Sequence, residues 1–443
     1  MRTLFHLERH GELMNKICKA AATGLLVPMV CCCATVLLAE DTHTKRELVC
    51  GPFIGHVEVT RVRVWARFAN PGIYQLSVAG NSRRVQATAC AAHDLCVVWD
   101  LEDLRPDQKY SYAISSETGA VLAGGADYYF RTAKQHDADM DLRLFFGSCA
   151  LEDEGTAAVW QQAARQRVDV TVLLGDTPYI DSADLDIQRR RYAQFASVAE
   201  MAQLFRSTPW YGTWDDHDFG LGDGDGRLVG KQRSRQAFME YHANPSYGED
   251  DRGIYTSFRR GPVEVFLLDT RYFAATEPSP FVLHHASLLG RAQWDWLRAG
   301  LKRSTAPVKV LACGMIWNAA TRPNKLDQWG SYAHEREALF RFIGEEKVDG
   351  VLLVGGDIHR SRVLRHDTKA WAGYDIYELI SSPLHAKVVA SANAPHPRLV
   401  KDMGNPNSFM LLEVEQRGGN LAQLQARFLD ASGQQHYLIS LLD

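Results

Sequence analysis

The sequence has little excess charge of either sign. Its 443 residues contain 49 Lys and Arg against 53 Asp and Glu, which gives a formal net charge of −4. It has no basic stripe and no long run of like charges. Because obligate nucleic-acid binding relies on clustered Lys and Arg to neutralise phosphates, this balance argues against nucleic acid as an obligate partner. A small or locally exposed phosphate ester is compatible with it.

Internal repeats and low-complexity runs are also lacking, so the chain divides where its hydrophobic pattern changes. From Val57 to Phe68 apolar and charged residues alternate as in a half-buried strand, and shorter β-like runs follow as far as Ile114. The segment LEDLRPDQKYSY is similar to the tyrosine corner of fibronectin type III and immunoglobulin-like sandwiches. We therefore expect a small antiparallel β-sandwich at 49–133, with a polar link to residue 141.

Beyond this link, apolar strands alternate with amphipathic helical segments. Helical spacing recurs at 156–167, 189–205, 234–242, 291–304 and 334–346. Each segment lies between strand-like runs, which predicts a layered α/β domain at 141–443.

The amino terminus has the features of an export signal. Two lysines precede an apolar stretch at 20–39 that is rich in small residues. We expect a leader at 1–39, cleaved near Ala39, with the native start at Met14. A single membrane anchor is the alternative, because about twenty apolar residues span a bilayer. A lipoprotein is a minor option, since the cysteines at 31–33 lack the small residue expected before a lipidated cysteine.

Nine cysteines are present, and four of them lie in the expected leader. The other five are an odd number, so at least one thiol stays unpaired in an oxidising compartment. Cys149 is our candidate, because a metal ion deprotonates a bound thiol and protects it from disulfide exchange. Cys90 and Cys96 are a possible bridge that the sequence does not establish.

Four strand-like apolar runs end in residues that bind metal ions. The most informative is VTVLLGD, which ends at Asp176 and is followed by Tyr179. Carboxyl ends of parallel strands form the ligand crevice of an α/β sheet, so the donors at these four ends are expected to meet. Thiolate, carboxylate, phenolate and imidazole donors together indicate a polynuclear metal site. The candidate residues are Cys149, Asp176, Tyr179, Asp215, Asp216, His217, Asp218, Asp357 and His359.

The ordered motifs GSC, GD-x-x-Y, W-D-D-H-D-F-G, L-D-T-R and GD-I-H-R-S resemble those of the alkaline phosphatase D (PhoD-like) family of metallophosphoesterases. The resemblance covers 141–443. It implies an αββα sandwich of two mixed sheets flanked by helices, preceded here by the small all-β domain. It also implies an exported, metal-dependent hydrolase of phosphate mono- or diesters. We expect a monomer whose partner is a phosphate ester, without stable membrane association once the leader is removed.

A two-metal site neutralises the phosphate oxygens, acidifies a bound water and holds it in line with phosphorus. Asp176 is expected to bridge the two ions, by its position and by the resemblance. Cys149 and Tyr179 are expected to bind one ion together with Asp357 or His359. Soft thiolate with phenolate favours Fe³⁺ for that ion.

The second ion is expected on Asp216, where the family implies Ca²⁺ and other divalent ions are options. His217 is expected to protonate the leaving alkoxide or to stabilise the transition state. The flanking Asp218 is expected to assist this catalysis by raising the basicity of the imidazole and orienting its ring. Arg271 follows the strand VEVFLLD and is expected either to bind phosphate oxygens or only to pair with Asp269.

One departure from the family pattern leaves a second function open. Where members continue as G-x-N-D, this chain has Gly222 in place of the amide. Either Asp223 or Asp225 substitutes for that amide, or the second metal site is weakened. The alternative function is therefore a noncatalytic cell-surface binding protein with a degenerate metal site. Retention of the other candidate ligands favours the enzyme.

Overall fold

The structure is a computed structural model that describes residues 48–80, 84–319 and 325–442. The expected leader at 1–39, its cleavage position and the start at Met14 lie outside these ranges. Among the described residues, no helix combines the length and apolar character that a bilayer span requires.

The first part of the described chain is all-β. Its strands are β1 (Leu48–Val57), β2 (Val62–Phe68), β3 (Gly72–Val78), β4 (Arg84–Ala89), β5 (Cys96–Leu101), β6 (Lys109–Ser116), β7 (Val121–Ala123) and β8 (Tyr129–Arg131). One antiparallel sheet has the order β1-β2-β5 and a second has the order β4-β3-β6-β7, with β8 paired to β6. Apolar side chains from both sheets form one buried cluster, in which Phe68 stacks on Tyr74. The Tyr110 hydroxyl accepts the backbone N–H of Arg105, which is the contact that a tyrosine corner makes.

The second part alternates strands and helices. Its strands are β9 (Met140–Gly147), β10 (Val170–Leu174), β11 (Trp210–Thr213), β12 (Thr256–Arg260), β13 (Val263–Leu267), β14 (Val308–Ala312), β15 (Val351–Gly355), β16 (Ser361–His366), β17 (Ile376–Ile380), β18 (Leu399–Met403), β19 (Ser408–Arg417), β20 (Asn420–Asp430) and β21 (Gln435–Ser440). Its helices are α1 (Glu154–Arg165), α2 (Leu185–Ala196), α3 (Ala199–Phe205), α4 (Asp216–Phe219), α5 (Lys231–Tyr241), α6 (Gly290–Arg303), α7 (Ala333–Glu345) and α8 (Lys369–Ala372).

Two mixed sheets pack face to face in this part. Their orders are β11-β10-β9-β19-β20-β21 and β12-β13-β14-β15-β17-β16-β18. Val172 of β10 and Val310 of β14 belong to the cluster between the sheets, whereas the neighbouring Leu173 and Leu311 pack against the outer helices. Burial on both faces explains why β10 reads as the continuous apolar run VTVLL. The predicted αββα sandwich, preceded by an all-β region, is confirmed.

One local expectation differs from the structure, and one cysteine pairing that the sequence left open is not formed. The single helix expected at 189–205 is two helices, because the extended backbone of Val198 separates α2 from α3. This break allows α3 to turn and pack against α1. No disulfide joins Cys90 and Cys96, and none is formed by the other cysteines in the described ranges.

Candidate metal centre

The candidate ligands lie at the carboxyl ends of strands from both sheets. Cys149 follows β9, Asp176 follows β10, Asp216 opens α4 after β11, and Asp357 and His359 follow β15. Gly175 precedes the β10 aspartate with a φ of +94°, and a Cβ there would lie 2.3 Å from a backbone nitrogen of the neighbouring strand end. Only glycine therefore lets the ends of β10 and β11 approach this closely.

One end of the centre combines sulfur, oxygen and nitrogen donors. The Cys149 Sγ lies 3.4 Å from Asp176 Oδ2, and a ligand atom of His359 lies within 4.8 Å of ligand atoms of both residues. The Tyr179 hydroxyl is 2.8 Å from the His359 Nε2. The four side chains that were expected to share one ion are thus brought together, with Asp357 adjoining them from the other end.

The other end contains carboxylates. Ligand oxygens of Asp176, Asp215, Asp216 and Asp357 lie within 4.8 Å of one another, and all four side chains are buried. One oxygen of each has no hydrogen-bond partner among the described residues: Asp176 Oδ1, Asp215 Oδ2, Asp216 Oδ1 and Asp357 Oδ2. A buried carboxylate oxygen without a partner is costly, and a cation would satisfy it. The residues present therefore fit a metal centre with an oxygen-only second position.

Backbone conformation supports the same conclusion. Cys149, Asp176, Asp357 and His359 have φ values of +59°, +53°, +69° and +51°. Positive φ is uncommon outside glycine and clusters at functional sites, where the surrounding structure holds it. At these four positions the left-handed backbone aims the side chains into the crevice.

The ionisable groups of the centre have shifted pKa values. Burial, and then the neighbouring aspartates, raise the pKa of Asp176 well above its usual range. Burial also raises the pKa of Cys149 and that of Tyr179. For Asp216, burial acts in the opposite direction, but Arg271 and other cations lower the net pKa. Most of the ligands therefore keep their protons until a cation displaces them, so metal binding should release protons.

A prediction about pH follows for Asp357, whose pKa is raised to about 6 by burial. An unfolded Asp titrates near pH 3.9, so the folded metal-free chain binds this proton more tightly than the unfolded chain. The contribution to stability is present below pH 4 and is lost as the pH rises to about 6. Asp357→Asn should therefore stabilise the metal-free protein, relative to wild type, by on the order of 3 kcal/mol more at pH 7.5 than at pH 4.

Urea unfolding of the chelated proteins at several pH values measures this difference. Lost packing contacts contribute equally at each pH, whereas the ion pair with Lys325 depends on ionisation and is part of the titration, so the change of the difference with pH isolates the titration of Asp357. Asp295→Asn, on the exposed side of α6, is the matched control. A difference that does not change between pH 4 and pH 7.5 contradicts the prediction.

His217 lies at the half-exposed edge of the centre. Its Nδ1 is 2.6 Å from the Asp181 Oδ1, and its side chain is 30% exposed. Asp218, which was expected to orient the ring, instead accepts backbone N–H groups from Asp215 and Thr177 with its two oxygens. Burial raises the pKa of Asp218 to about 7. The orienting carboxylate is therefore Asp181, and Asp218 caps α4.

Arg271 differs from both of its expected roles. Its guanidinium is fully buried and donates to Asp215 at 2.7 Å, to the Gly224 carbonyl at 3.0 Å and to Asp327 at 3.2 Å. The Asp269 carboxylate accepts the backbone N–H of Arg271 rather than the guanidinium. With its donors used by the protein, Arg271 holds the carboxylates of the centre and is not placed to bind phosphate oxygens.

His385 also belongs to the centre and was not among the candidates. Its Nε2 is 3.1 Å from the Tyr179 hydroxyl, its ring centroid is 4.6 Å from that of His359, and its backbone N–H donates to the Cys149 carbonyl. Burial lowers the pKa of His385 to about 4, so the ring is neutral near pH 7. It follows the apolar strand β17, so the strand-end argument, applied there, would have found it.

Lys325 is a further residue that the sequence did not indicate. Its ammonium lies 2.9 Å from Asp357 Oδ1 and 3.1 Å from Asp327 Oδ2. It comes from a connecting segment with no motif. Of the two acidic residues considered in place of the missing amide, Asp223 also reaches Lys325, at 3.1 Å, whereas Asp225 pairs with Arg227.

Comparison with known proteins identifies the family. The model of the PhoD-like phosphatase matches residues 144–432. The chain belongs to the PhoD-like phosphatase family. A second model, of a domain of unknown function (DUF7800), matches residues 45–129 of this PhoD-like protein.

Individual relatives agree with this assignment. Alkaline phosphatase D of Bacillus subtilis (strain 168) is 27% identical over an alignment of 320 residues, and the match covers 61% of this PhoD-like chain and 54% of that protein. The chain thus spans about half the length of that relative. A structure of PhoD has a TM-score of 0.67 at 18% identity and covers 89% of this chain and 92% of its own. The structure of purple acid phosphatase PPD1 from yellow lupin has a TM-score of 0.65 at 12% identity and covers 88% of this chain and 73% of its own. These two structures show the shared fold.

Proposed function

We propose that this PhoD-like protein hydrolyses phosphate esters at the centre between its two sheets. Family membership supports a phosphoesterase. The observation that carries the proposal is the position of Asp176, which is within ligand distance of Cys149 and His359 on one side and of Asp216 and Asp357 on the other. A carboxylate shared by two donor groups is what a bridged pair of metal ions requires.

The donors differ between the two positions. Thiolate, phenolate and imidazole at the position of Cys149, Tyr179 and His359 suit Fe³⁺. The carboxylates of Asp216 and Asp357 suit a hard ion such as Ca²⁺, with other divalent ions as options. Bound there, the ions would supply charge neutralisation and an activated water.

The remaining step is a proton transfer by the protein. His217 lies beside the Asp176–Asp216 group at a half-exposed edge, where an ester oxygen can reach it. The Asp181 carboxylate accepts from its Nδ1 and leaves the Nε2 to face the leaving group. His217 would then donate its proton to the departing alkoxide, and Asp181 would fix the tautomer and the ring orientation.

Metal analysis combined with a phosphate-release screen tests this function. We expect the purified protein to contain iron, to show a visible charge-transfer band and to release nitrophenol from p-nitrophenyl phosphate or its diester. Tyr179→Phe should bleach or shift the band. Tyr192→Phe is the matched control, because it removes a buried hydroxyl with no hydrogen-bond partner among the described residues.

Each outcome has a separate consequence. A colourless, iron-free protein with full activity would overturn the iron assignment. A protein that retains its metal but hydrolyses none of a broad set of esters would favour the noncatalytic binding protein instead.

A further inference from the structure

Lys325 places a positive charge inside the carboxylate end of the centre. The residue is 8% exposed, and its ammonium contacts Asp357 at 2.9 Å, Asp327 at 3.1 Å and Asp223 at 3.1 Å. These three aspartates belong to different segments of the chain, so the ammonium joins them at a single point.

That point overlaps the second metal position. Ligand oxygens of Asp216, Asp223 and Asp327 lie within 4.8 Å of one another, and two of these residues contact Lys325. Buried oxygens in the same region, namely Asp216 Oδ1, Asp327 Oδ1 and Asp357 Oδ2, have no hydrogen-bond partner among the described residues. The carboxylates that would hold a divalent ion are therefore partly committed to an ammonium.

Arg271 is the other buried cation of the centre, and it is held more firmly than Lys325. Its guanidinium is fully buried and donates to Asp215 at 2.7 Å, to the Gly224 carbonyl at 3.0 Å and to Asp327 at 3.2 Å. A planar guanidinium held at several points is fixed, whereas an ammonium on a four-carbon stem can withdraw. Of these two cations, only the Lys325 ammonium can move away from the carboxylates.

We propose that Lys325 competes with calcium for the second metal position. This inference rests on the metal centre of the proposed function. An ammonium and a divalent cation that share Asp357 and Asp327 repel one another, and burial leaves that repulsion poorly screened. Calcium binds only as Lys325 withdraws, so the second ion is weakly held and exchangeable.

Calcium affinity of a lysine variant tests the proposal. Lys325→Met keeps the apolar stem and removes the charge, so the Kd for calcium should fall at least tenfold. Equilibrium dialysis with radioactive calcium measures it on the full chain. Lys302→Met is the matched control, because Lys302 pairs with Glu346 at 2.7 Å on the surface and should leave the affinity unchanged.

The proposal is overturned if Lys325→Met binds calcium with the same affinity as wild type, binds it more weakly, or shows no calcium binding. Should this variant fail to fold, the wild-type protein provides a second measurement. Acetylation of Lys325 by acetic anhydride, followed by mass spectrometry, should rise with added calcium. A side chain that has left its three carboxylates loses its proton to solvent more readily, and the resulting free amine takes up the acetyl group with release of acetate. Lys302 is the internal reference. Acetylation of Lys325 that does not respond to saturating calcium overturns the proposal.

A failure of the proposed function would appear in a different measurement from a failure of the calcium proposal. A protein without phosphate release on any ester contradicts the hydrolase, whereas the calcium affinities of wild type and Lys325→Met are measured without any substrate.

Discussion

Asp176→Ala should lose both its metal and its activity. Asp176 is within ligand distance of both donor groups, so its removal takes an oxygen from each metal position. We expect metal content to fall below one ion per chain, and phosphate release to fall by roughly a thousandfold or more, because electrostatic stabilisation of the transition state depends on the ions. Mass spectrometry of bound metals and ester hydrolysis measure the two effects.

Stability distinguishes this loss from misfolding. The pKa of Asp176 is raised by burial and by its acidic neighbours, so its carboxylate destabilises the metal-free fold near neutral pH. Metal-free Asp176→Ala should therefore unfold at the same temperature as metal-free wild type, or at a higher one. Asp295→Ala on α6 serves as the surface control. Wild-type metal content in Asp176→Ala would contradict the bridging role.

His217→Ala should lose turnover but keep its metal. If the imidazole protonates the leaving group, its removal should lower turnover by roughly two to four orders of magnitude. The loss should be smaller for nitrophenyl esters than for alkyl phosphates, because nitrophenolate leaves without a proton. Asp181→Asn should retain the ring but lose its orientation, with an intermediate loss of roughly ten- to a hundredfold.

Two outcomes would contradict the acid role. Equal losses with good and poor leaving groups would leave His217 as a transition-state stabiliser or an orienting group. Loss of metal would make it a ligand, a role that its position beside Asp176 and Asp216 also permits.

The sequence predicted the parts of the molecule that depend on strand ends. A run such as VTVLL is recognisable as a strand buried on both faces, and the rule that ligands gather at strand ends then gives Asp176. The same rule gives Cys149 and Asp357. The two-sheet sandwich, in contrast, came from the family resemblance, since alternating strands and helices alone do not specify two sheets.

The hydrogen-bond partners of the site residues were harder to predict from the sequence, because they depend on the loops. Arg271 was expected either to bind phosphate oxygens or to pair with Asp269, two positions away, but its guanidinium reaches Asp215, 56 positions away. Asp181 and His217 are 36 positions apart, and no periodicity relates them. Such contacts arise from the path of the chain between elements, which local patterns do not encode.

Asp218 illustrates a signal that was present but misinterpreted. Asp215 and Asp218 have the spacing of a capping box, in which the third helical residue turns back to the backbone N–H of the cap. That geometry directs the Asp218 carboxylate away from His217. Adjacency in sequence therefore suggested a catalytic pair where the local helix geometry forbids one.

The positive φ values in the centre restrict how its metal preference can be altered. A new ligand at Cys149, Asp176, Asp357 or His359 must tolerate a left-handed backbone as well as supply a donor atom. Asp, Asn and His adopt that conformation more readily than other side chains, whereas β-branched Thr resists it. Redesign toward another ion should therefore exchange ligands within that small group, and libraries that randomise these positions fully would consist largely of strained proteins.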